Sequence, residues 1–427
     1  MLADFHLHSK YSRATSPEMG LEGIYRGAKL KGIDLVGTGD FTHPKYFQEI
    51  QEKLISDASG LFSLQPEIAT KIDEELPESV RNRSVKFILS VEISNIYKKN
   101  DKVRKSHNLI LCEDFVTAGK LIAKLNKIGN LKSDGRPILG LSAKDLLAIT
   151  LEIGSGLYFI PAHIWTPWFS VFGSRSGYDS LEECFAELTP FIRTLETGLS
   201  SDPYMNWRWS EIADLCFISN SDAHSAAKMG REANILDCEP DFQEIIAALK
   251  TNDERFVGTI EFFPEEGKYY LDGHRSCGVS LHYAETKKLK GICPQCGKAL
   301  VLGVSYRVAE LAERSADYRP TKHKSVEYIV PLAEIIAEIM GLKSANSTKV
   351  VSYYDKLISK FGSEFEILRS VATQDLEKLG EIQLAEALNN LRSGKVFVQG
   401  GYDGIFGVIR VLQQKGNASQ REQLALV

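Results

Sequence analysis

Residues 3–9 read ADFHLHS, and this stretch decides the reading of the fold. Ala3–Leu7 is a candidate strand, and it carries the chain into His6 and His8. In an extended chain, residues two apart face the same side, so both imidazoles can reach one ion. Alone, the HxH pattern is a weak signal, because two surface histidines near a chain end look the same.

The surroundings strengthen it. Residues 1–262 alternate short apolar runs with helical patterns. Further candidate strands are Ile33–Thr38, Lys86–Val91, Asn108–Leu111, Gly156–Pro161, Ile192–Glu196, Cys216–Ser219 and Arg255–Ile260. Connecting stretches such as Ser180–Leu188 and Asp241–Leu249 have the apolar spacing of helices. That rhythm is α/β, and it fits a β/α barrel or an open doubly wound sheet equally well. Polar residues fall at or just past the strand ends: His8, Asp40, Glu92, His163 and His224. Barrel enzymes assemble their sites from several strand ends in this way.

The chain holds nine histidines, and most stand in such contexts. Asp40 and His43 follow IDLVGTG, Glu92 closes VKFILSVEIS, His107 opens HNLILC, His163 ends GLYFIPAH, and Asp222 and His224 lie in SNSDAH. Polar groups at the ends of buried strands need a partner or a task. Imidazoles mixed with carboxylates suit Zn, Mn or Fe better than Ca or Mg. Carboxylates can bridge two ions, a pairing that activates water and stabilises phosphoryl oxygens. The expectation is a multinuclear hydrolase site.

Composition sets outer limits. The chain has 427 residues, 43% hydrophobic and 25% charged, with a formal charge of -5. Those values describe an ordinary globular protein, not a disordered or fibrous one. No run of about 18 apolar residues suggests a membrane span, and MLADFHLHSK lacks the form of a secretory signal. A cytoplasmic protein with no membrane partner is expected. No glycine-rich phosphate loop is evident, so no nucleotide cofactor is expected.

Four of the seven cysteines, Cys112, Cys184, Cys216 and Cys238, sit in apolar or helical stretches and read as interior thiols. The other three cluster within residues 263–305, a segment too short to bury a core of its own. Cys293-x2-Cys296 is half of a zinc knuckle, Cys277 lies upstream, and His274-x2-Cys277 mirrors the CxxC half. His282 is the rival fourth ligand. Between Gly267 and Leu300 there are six Lys/Arg and two acids, a surplus that suits contact with a nucleic-acid backbone. A second basic run, YKKNDKVRK at 97–105, follows Glu92, and Arg81, Arg83, Lys322 and Lys324 extend it into a possible track.

The stretch after His163 carries Trp165, Trp168, Phe169, Phe172 and Tyr178, with Arg175 among them. It reads either as packing against the carboxyl-terminal region or as a pocket that stacks on a nucleobase. Asn206 and Arg208, in LSSDPYMNWRWS, are candidates for phosphate or base-edge contacts, and Trp207 and Trp209 for core or stacking. Residues 306–427 are mainly helical in pattern, clearest at Val308–Arg314, Leu332–Gly341, Val351–Lys360 and Gln374–Leu391. Val396–Val398 reads as an extended segment before a glycine-rich turn. Three units are expected: a phosphoesterase barrel at 1–262, a zinc-binding module at 263–305 and a mainly helical DNA-binding or accessory domain at 306–427.

DFHLHS, VGTGDFTH, SVEIS, HNLIL, PAH and SDAH together resemble the motif series of the PHP (polymerase and histidinol phosphatase) domain. The resemblance implies a distorted seven-stranded β/α barrel that hydrolyses phosphoesters at a metal cluster. Carried over, His6, His8, Glu92 and Asp222 hold a first ion. Glu92, His107 and His163 hold a second, with Glu92 bridging. His224 and a residue of the Asp40–His43 segment would serve a third. The pattern departs there: Phe41 stands where many members carry histidine, and KYSRATS follows the HxH without one. Two ions are the firmer expectation, with Arg13 or Lys10 set against a phosphate. Asp40, Glu92, Asp222 and Arg13 are the candidate catalytic residues.

With YYLDGHRSCGVS, GICPQCGKALVLGV, HKSVEYIVPLAEII and GGYDGIFG, the whole chain resembles the endonuclease Q family. That resemblance implies cutting of double-stranded DNA on the 5′ side of a deaminated base (uracil, hypoxanthine or xanthine) or an abasic site. The products would be a 3′-hydroxyl and a 5′-phosphate. The implied cofactors are two or three divalent ions (Zn, Mn or Mg) in the barrel and one structural zinc. Alternatives are a PHP exonuclease or small-molecule phosphoesterase, or a non-catalytic DNA-binding protein. A sliding-clamp contact would fit a repair role, although the tail ASQREQLALV is no convincing clamp motif.

Overall fold

Ten strands position the site in the computed structural model, which describes residues 1–412. They are β1 (Leu2–Asp4), β2 (Leu35–Gly37), β3 (Lys86–Lys99), β4 (Lys102–Cys112), β5 (Leu157–Pro161), β6 (Thr194–Glu196), β7 (Cys216–Ile218), β8 (Ala233–Leu236), β9 (Phe256–Phe262) and β10 (Ser325–Ile329). Hydrogen bonding runs in the order β10-β9-β8-β1-β2-β3-β4-β5, and β6 and β7 form a separate parallel pair. The main-chain N–H of Ile164 reaches the carbonyl of Glu196 at 3.0 Å, linking the end of β5 to β6. An isolated parallel bridge joins Leu7 to Ala223, linking the chain after β1 to the chain after β7.

Each strand expected from the sequence overlaps an observed one. The largest difference is the hairpin β3–β4. Its eleven paired positions run from Leu89↔Cys112 to Lys99↔Lys102. The turn is Asn100-Asp101, with φ of 51° and 58°. Two positive φ values match the twist of a two-residue hairpin turn, and Asn and Asp tolerate them. The basic run at 97–105 is therefore a hairpin tip, with Lys98 and Lys102 exposed. Strands β8 and β10 are not among the strands expected from the sequence.

Apolar side chains from the strands and the surrounding helices form a core that continues into the carboxyl-terminal helices. Those helices are Leu332–Ile339, Thr348–Phe361, Glu364–Arg369, Thr373–Lys378 and Ile382–Arg392. Gly380, at φ 82°, divides the helix expected over Gln374–Leu391. A buried ion pair anchors this region: Lys31 Nζ lies 2.6 Å from Glu364 Oε2. Glu364 also accepts from Leu332 N and Tyr354 Oη, so the buried carboxylate is fully partnered. Arg83 bridges Asp34 and Glu366, so it braces the same contact and is not part of an open track.

The cysteine-rich segment has two short strands, Asp272–His274 and Val279–Leu281, and one helix, Tyr283–Lys288. Its apolar cluster holds Val279, Cys293 and Leu300. So small a core does not stabilise a fold without help. Cys112, Cys184 and Cys216 are buried and Cys238 is half-buried. No described helix is long and apolar enough to cross a membrane. The tail at 418–427 lies outside the described residues.

Candidate metal centre

The site forms at the carboxyl ends of β1, β2, β5, β6 and β7, with Glu92 inside β3 and His107 inside β4. Leu7 turns into the core and His6 and His8 turn to the opposite side, as an extended chain requires. In the hairpin ladder Glu92 pairs with Leu109 and Ser94 with His107. Glu92 and His107 are thus diagonal neighbours on one face. Asp40, His163 and Asp222 all have positive φ, at 48°, 30° and 46°. Left-handed backbone is unfavourable for these residues, and its concentration here marks a site held by its surroundings. A Cβ on Gly198 would stand 2.4 Å from the Cβ of His163, so only glycine lets the two chains approach.

Two groups converge. His6, His8 and Asp222 form one, and Glu92, His107 and His163 the other. In the first, His8 Nε2 is 3.0 Å and His6 Nε2 3.8 Å from Asp222 Oδ1. In the second, Glu92 Oε1 is 2.6 Å from His107 Nδ1 and 2.9 Å from His163 Nε2. Glu92 joins the two, because its Oε2 lies 3.3 Å from His8 Nε2 and 3.6 Å from His6 Nε2. Ligands about 2.1 Å from a tetrahedral ion stand roughly 3.4 Å from one another, near the spacing of His6, His8, Asp222 and Glu92 Oε2, while the second group is drawn in to hydrogen-bonding distance. His6 Nε2, His8 Nε2 and Asp222 Oδ1 are buried without hydrogen-bond partners. Orphaned polar atoms aimed at a common point fit a divalent ion.

The charges agree. Burial works against ionising Glu92, yet His107, Arg136 and His6 outweigh it and hold the carboxyl well below its usual range. Burial pushes His6 down, but Glu196 and Glu92 raise it well above an ordinary imidazole. His107, buried beside other cations, is pushed down to about 4. Metal binding needs the neutral imidazole, so His107 is ready as it stands, and an ion at the first group would displace the proton that Glu196 and Glu92 favour on His6.

Three neighbours orient the ligands. His6 Nδ1–H donates to Glu196 Oε1 at 2.9 Å, and Glu196 Oε2 also accepts from the main-chain N of His163 at 2.8 Å. His8 Nδ1–H donates to Asp40 Oδ1 at 3.3 Å. Asp40 Oδ2 accepts from Ser9 N, Ser9 Oγ and Ser12 Oγ. Asp40 therefore stands behind His8, not among the converging atoms. Arg136 NH1 donates to Glu92 Oε2 at 3.0 Å. Glu196 ended an expected strand but was not expected at the site, and Arg136 lies in a loop with no periodic signal.

Other expected residues sit apart. His43 stacks on Tyr11, with ring centroids 4.4 Å apart, and belongs to neither group. The His224 ring packs 4.3 Å from that of His8, and its Nδ1–H donates to the Asp222 carbonyl at 2.9 Å. Lys10 pairs with Glu49, and Arg13 is 85% exposed beside Asp134, so neither cation is paired with a ligand of the cluster. Trp165 and Phe172 are buried in the core against Trp209. Asn206 is buried too, and its Oδ1 accepts from Trp165 Nε1 at 2.5 Å. The main-chain carbonyl of Arg208 accepts from Glu313 and Arg314, and Arg175 is exposed. Trp168 and Phe169 keep open surface. Phe169 stands 4.7 Å from His107, with Lys105 Nζ 5.2 Å from its ring centroid.

In the small segment His274 converges with Cys277, Cys293 and Cys296. His282 instead caps the helix Tyr283–Lys288 in a reciprocal pair with Glu285. Three thiols and one imidazole are a tetrahedral zinc set.

An α/β frame that joins two histidine–carboxylate groups through one glutamate defines a protein of the PHP class. The PHP-associated family profile matches residues 205–253, and the MJ0043 C-terminal domain profile matches residues 331–395. The chain is 30% identical to the Bacillus subtilis protein YqxK over 91% of each chain. It is 33% identical to the Methanocaldococcus jannaschii protein MJ0043 over 59% of this chain, a match that spans 32% of that longer protein. The crystal structure of the lesion-specific endonuclease PfuEndoQ from Pyrococcus furiosus superposes with a TM-score of 0.81 at 29% identity, covering 96% of this chain and 94% of that one. Endonuclease Q in complex with a 27-mer duplex substrate, with an abasic lesion at the active site, gives 0.80 at 29% identity and 97% coverage of both chains. The chain belongs to the endonuclease Q family of PHP-domain nucleases.

Proposed function

We propose that this protein is a metal-dependent, lesion-specific DNA endonuclease. It cuts the phosphodiester 5′ to a deaminated base or abasic site and leaves a 3′-hydroxyl and a 5′-phosphate. The observation that carries the reading is Glu92, whose two oxygens each serve one ligand group in a chain that matches a lesion-specific endonuclease over nearly its whole length.

Two ions fit the barrel groups. His6, His8 and Asp222 with Glu92 Oε2 would hold one, and Glu92 Oε1 with His107 and His163 the other. Divalent ions held there supply a nucleophilic water near neutral pH and stabilise charge on phosphoryl oxygens. Zinc or manganese suits the imidazole-rich set. A structural zinc would be held by His274, Cys277, Cys293 and Cys296. Glu196 and Asp40 keep the ring nitrogens of His6 and His8 aimed at the cluster.

Trp168, exposed and edge-on to Tyr269, offers a flat face for an unstacked nucleotide next to Phe169, which packs on His107 with Lys105 over its ring. Extrusion costs least where pairing is already lost, which favours lesions over intact DNA. The exposed lysines of the hairpin tip and the basic surplus of the cysteine segment would hold the duplex backbone. We also read residues 1–262 as a closed barrel, supported by the Ile164–Glu196 bond and the Leu7–Ala223 bridge at the gaps in the ladder. Residues 263–305 would then be a zinc module and the helices from Leu332 to Arg392 a clamp, with β10 on the edge of the barrel sheet. A sliding-clamp contact has no support among the described residues.

Cleavage of duplexes with one lesion, tested with Mg or Mn, decides the reading. A cut on the 5′ side that is absent for Asp222→Asn supports it. Digestion from the ends would replace it with an exonuclease.

A further inference from the structure

The sequence offers Lys10 and Arg13 as cations for the scissile phosphate, and in the fold neither is paired with a ligand of the cluster. Lys10 Nζ lies 2.8 Å from Glu49 Oε2, and Arg13 is 85% exposed beside Asp134. Arg231 is also near, but its guanidinium donates to the main-chain carbonyls of Ser221 and Asp222 behind the cluster. That leaves Arg136.

The segment around Arg136 is laid closely against the site. Gly135 N donates to the Tyr11 carbonyl at 3.0 Å. A Cβ on Gly135 would stand 2.3 Å from Asp40 Oδ2 and 2.6 Å from Ser12 Oγ, so only glycine allows the approach. Arg136 N donates to Asp134 Oδ1 at 3.1 Å, and the Pro137 carbonyl accepts from Ser94 N at 3.0 Å. These bonds fix both ends of the tripeptide and place the side chain over Glu92.

Arg136 NH1 donates to Glu92 Oε2 at 3.0 Å, the oxygen that faces His6 and His8. Its side chain is 26% exposed, so the guanidinium is held on one side and open on the other. A guanidinium carries five donors in a rigid fork that matches phosphate oxygens. One donor is used on Glu92, and the open edge is free to receive an anion.

We propose that Arg136 is a catalytic residue, resting on the endonuclease reading above: its open edge binds a non-bridging oxygen of the scissile phosphate. In the reaction a water oxygen bonds to phosphorus and the bond from phosphorus to the 3′ oxygen breaks. The departing oxygen gains a proton, and the water loses one. Negative charge on the non-bridging oxygens changes along this path, and a fixed cation placed there needs no reorganisation.

The test uses the full-length, metal-loaded protein and an abasic duplex. R136A is expected to slow single-turnover cleavage about 10²–10³-fold. Metal content, by elemental analysis, is expected to equal wild type, and duplex affinity to fall by much less than the rate. Guanidinium ion added in solution should restore part of the R136A rate, and equal sodium chloride should not. R136K, which keeps the charge but not the fork, should lie between R136A and wild type. A rate for R136A within about threefold of wild type would overturn the proposal. So would a slow rate that tracks metal loss and is not rescued, because Arg136 would then only position Glu92. If the wild-type protein cuts no lesion duplex, the endonuclease reading fails instead. The same rescue comparison on bis(p-nitrophenyl) phosphate would then test Arg136 independently.

Discussion

Glu196 Oε1 accepts from the Nδ1–H of His6 at 2.9 Å, and that bond fixes which ring nitrogen is free to bind an ion. The same carboxylate accepts from the main-chain N of His163 and from Asn220 Nδ2. One buried side chain therefore sets a ligand of each metal group. Glu196→Ala should weaken metal binding 10–100-fold, measured by titration against a competing chelator. Unchanged affinity would show that His6 is oriented by packing alone.

Two tryptophans three residues apart should behave differently. Trp165 is buried against Phe172 and Trp209, so Trp165→Ala should cost about 3–5 kcal/mol of stability. Trp168 is 38% exposed, so Trp168→Ala should change stability by no more than about 0.5 kcal/mol. It should weaken binding of a lesion duplex by about 1–3 kcal/mol. Chemical denaturation and fluorescence anisotropy separate the two effects. Equal destabilisation by both substitutions would place Trp168 in the core.

The site was legible in the sequence where a polar side chain opens an apolar run, ends one or lies just past it. His6, His8, Glu92, His107, His163 and Asp222 all carry that signal, and the fold brings them together. Glu196 carried it too, at the end of Ile192–Glu196, but a lone carboxylate without a histidine nearby in sequence looks like any strand end. Arg136 had no signal, because a loop residue gains its meaning only from what the loop packs against. Lys10 and Arg13 are close to the histidines in sequence, but in the fold they pair with Glu49 and Asp134 and touch neither ligand group. The aromatic loop mixed two roles that composition cannot separate. The long hairpin was hidden because its outer half is basic on both strands and reads as a charge run.

The cysteine segment gives a stoichiometric prediction. Cys296→Ser and His274→Ala should each reduce bound zinc by one ion per chain, read by elemental analysis. His282→Ala should leave zinc content unchanged and cost about 1 kcal/mol, because it removes a helix cap. Loss of zinc in His282→Ala would move the fourth ligand.

Glu261 is buried, with Oε2 unpartnered, and burial raises its carboxyl to about 8. In the unfolded chain it ionises near 4.5, so between about pH 4.5 and 8 the folded state binds more protons. Its contribution to stability therefore falls as pH rises through that window. Glu261→Gln should flatten the profile, with its thermal midpoint gaining on wild type from pH 5 to pH 8. A constant difference across that range would show that the carboxyl is ionised in the fold.

The most direct test of the central claim is strand cleavage on end-labelled duplexes carrying one uracil, one hypoxanthine, one abasic site or no lesion. The account predicts one cut, on the 5′ side of each lesion, with a 3′-hydroxyl terminus. It predicts no cut in undamaged DNA and none by Glu92→Gln. A ladder from the ends, equal cutting of undamaged duplex, or full activity in Glu92→Gln would contradict it.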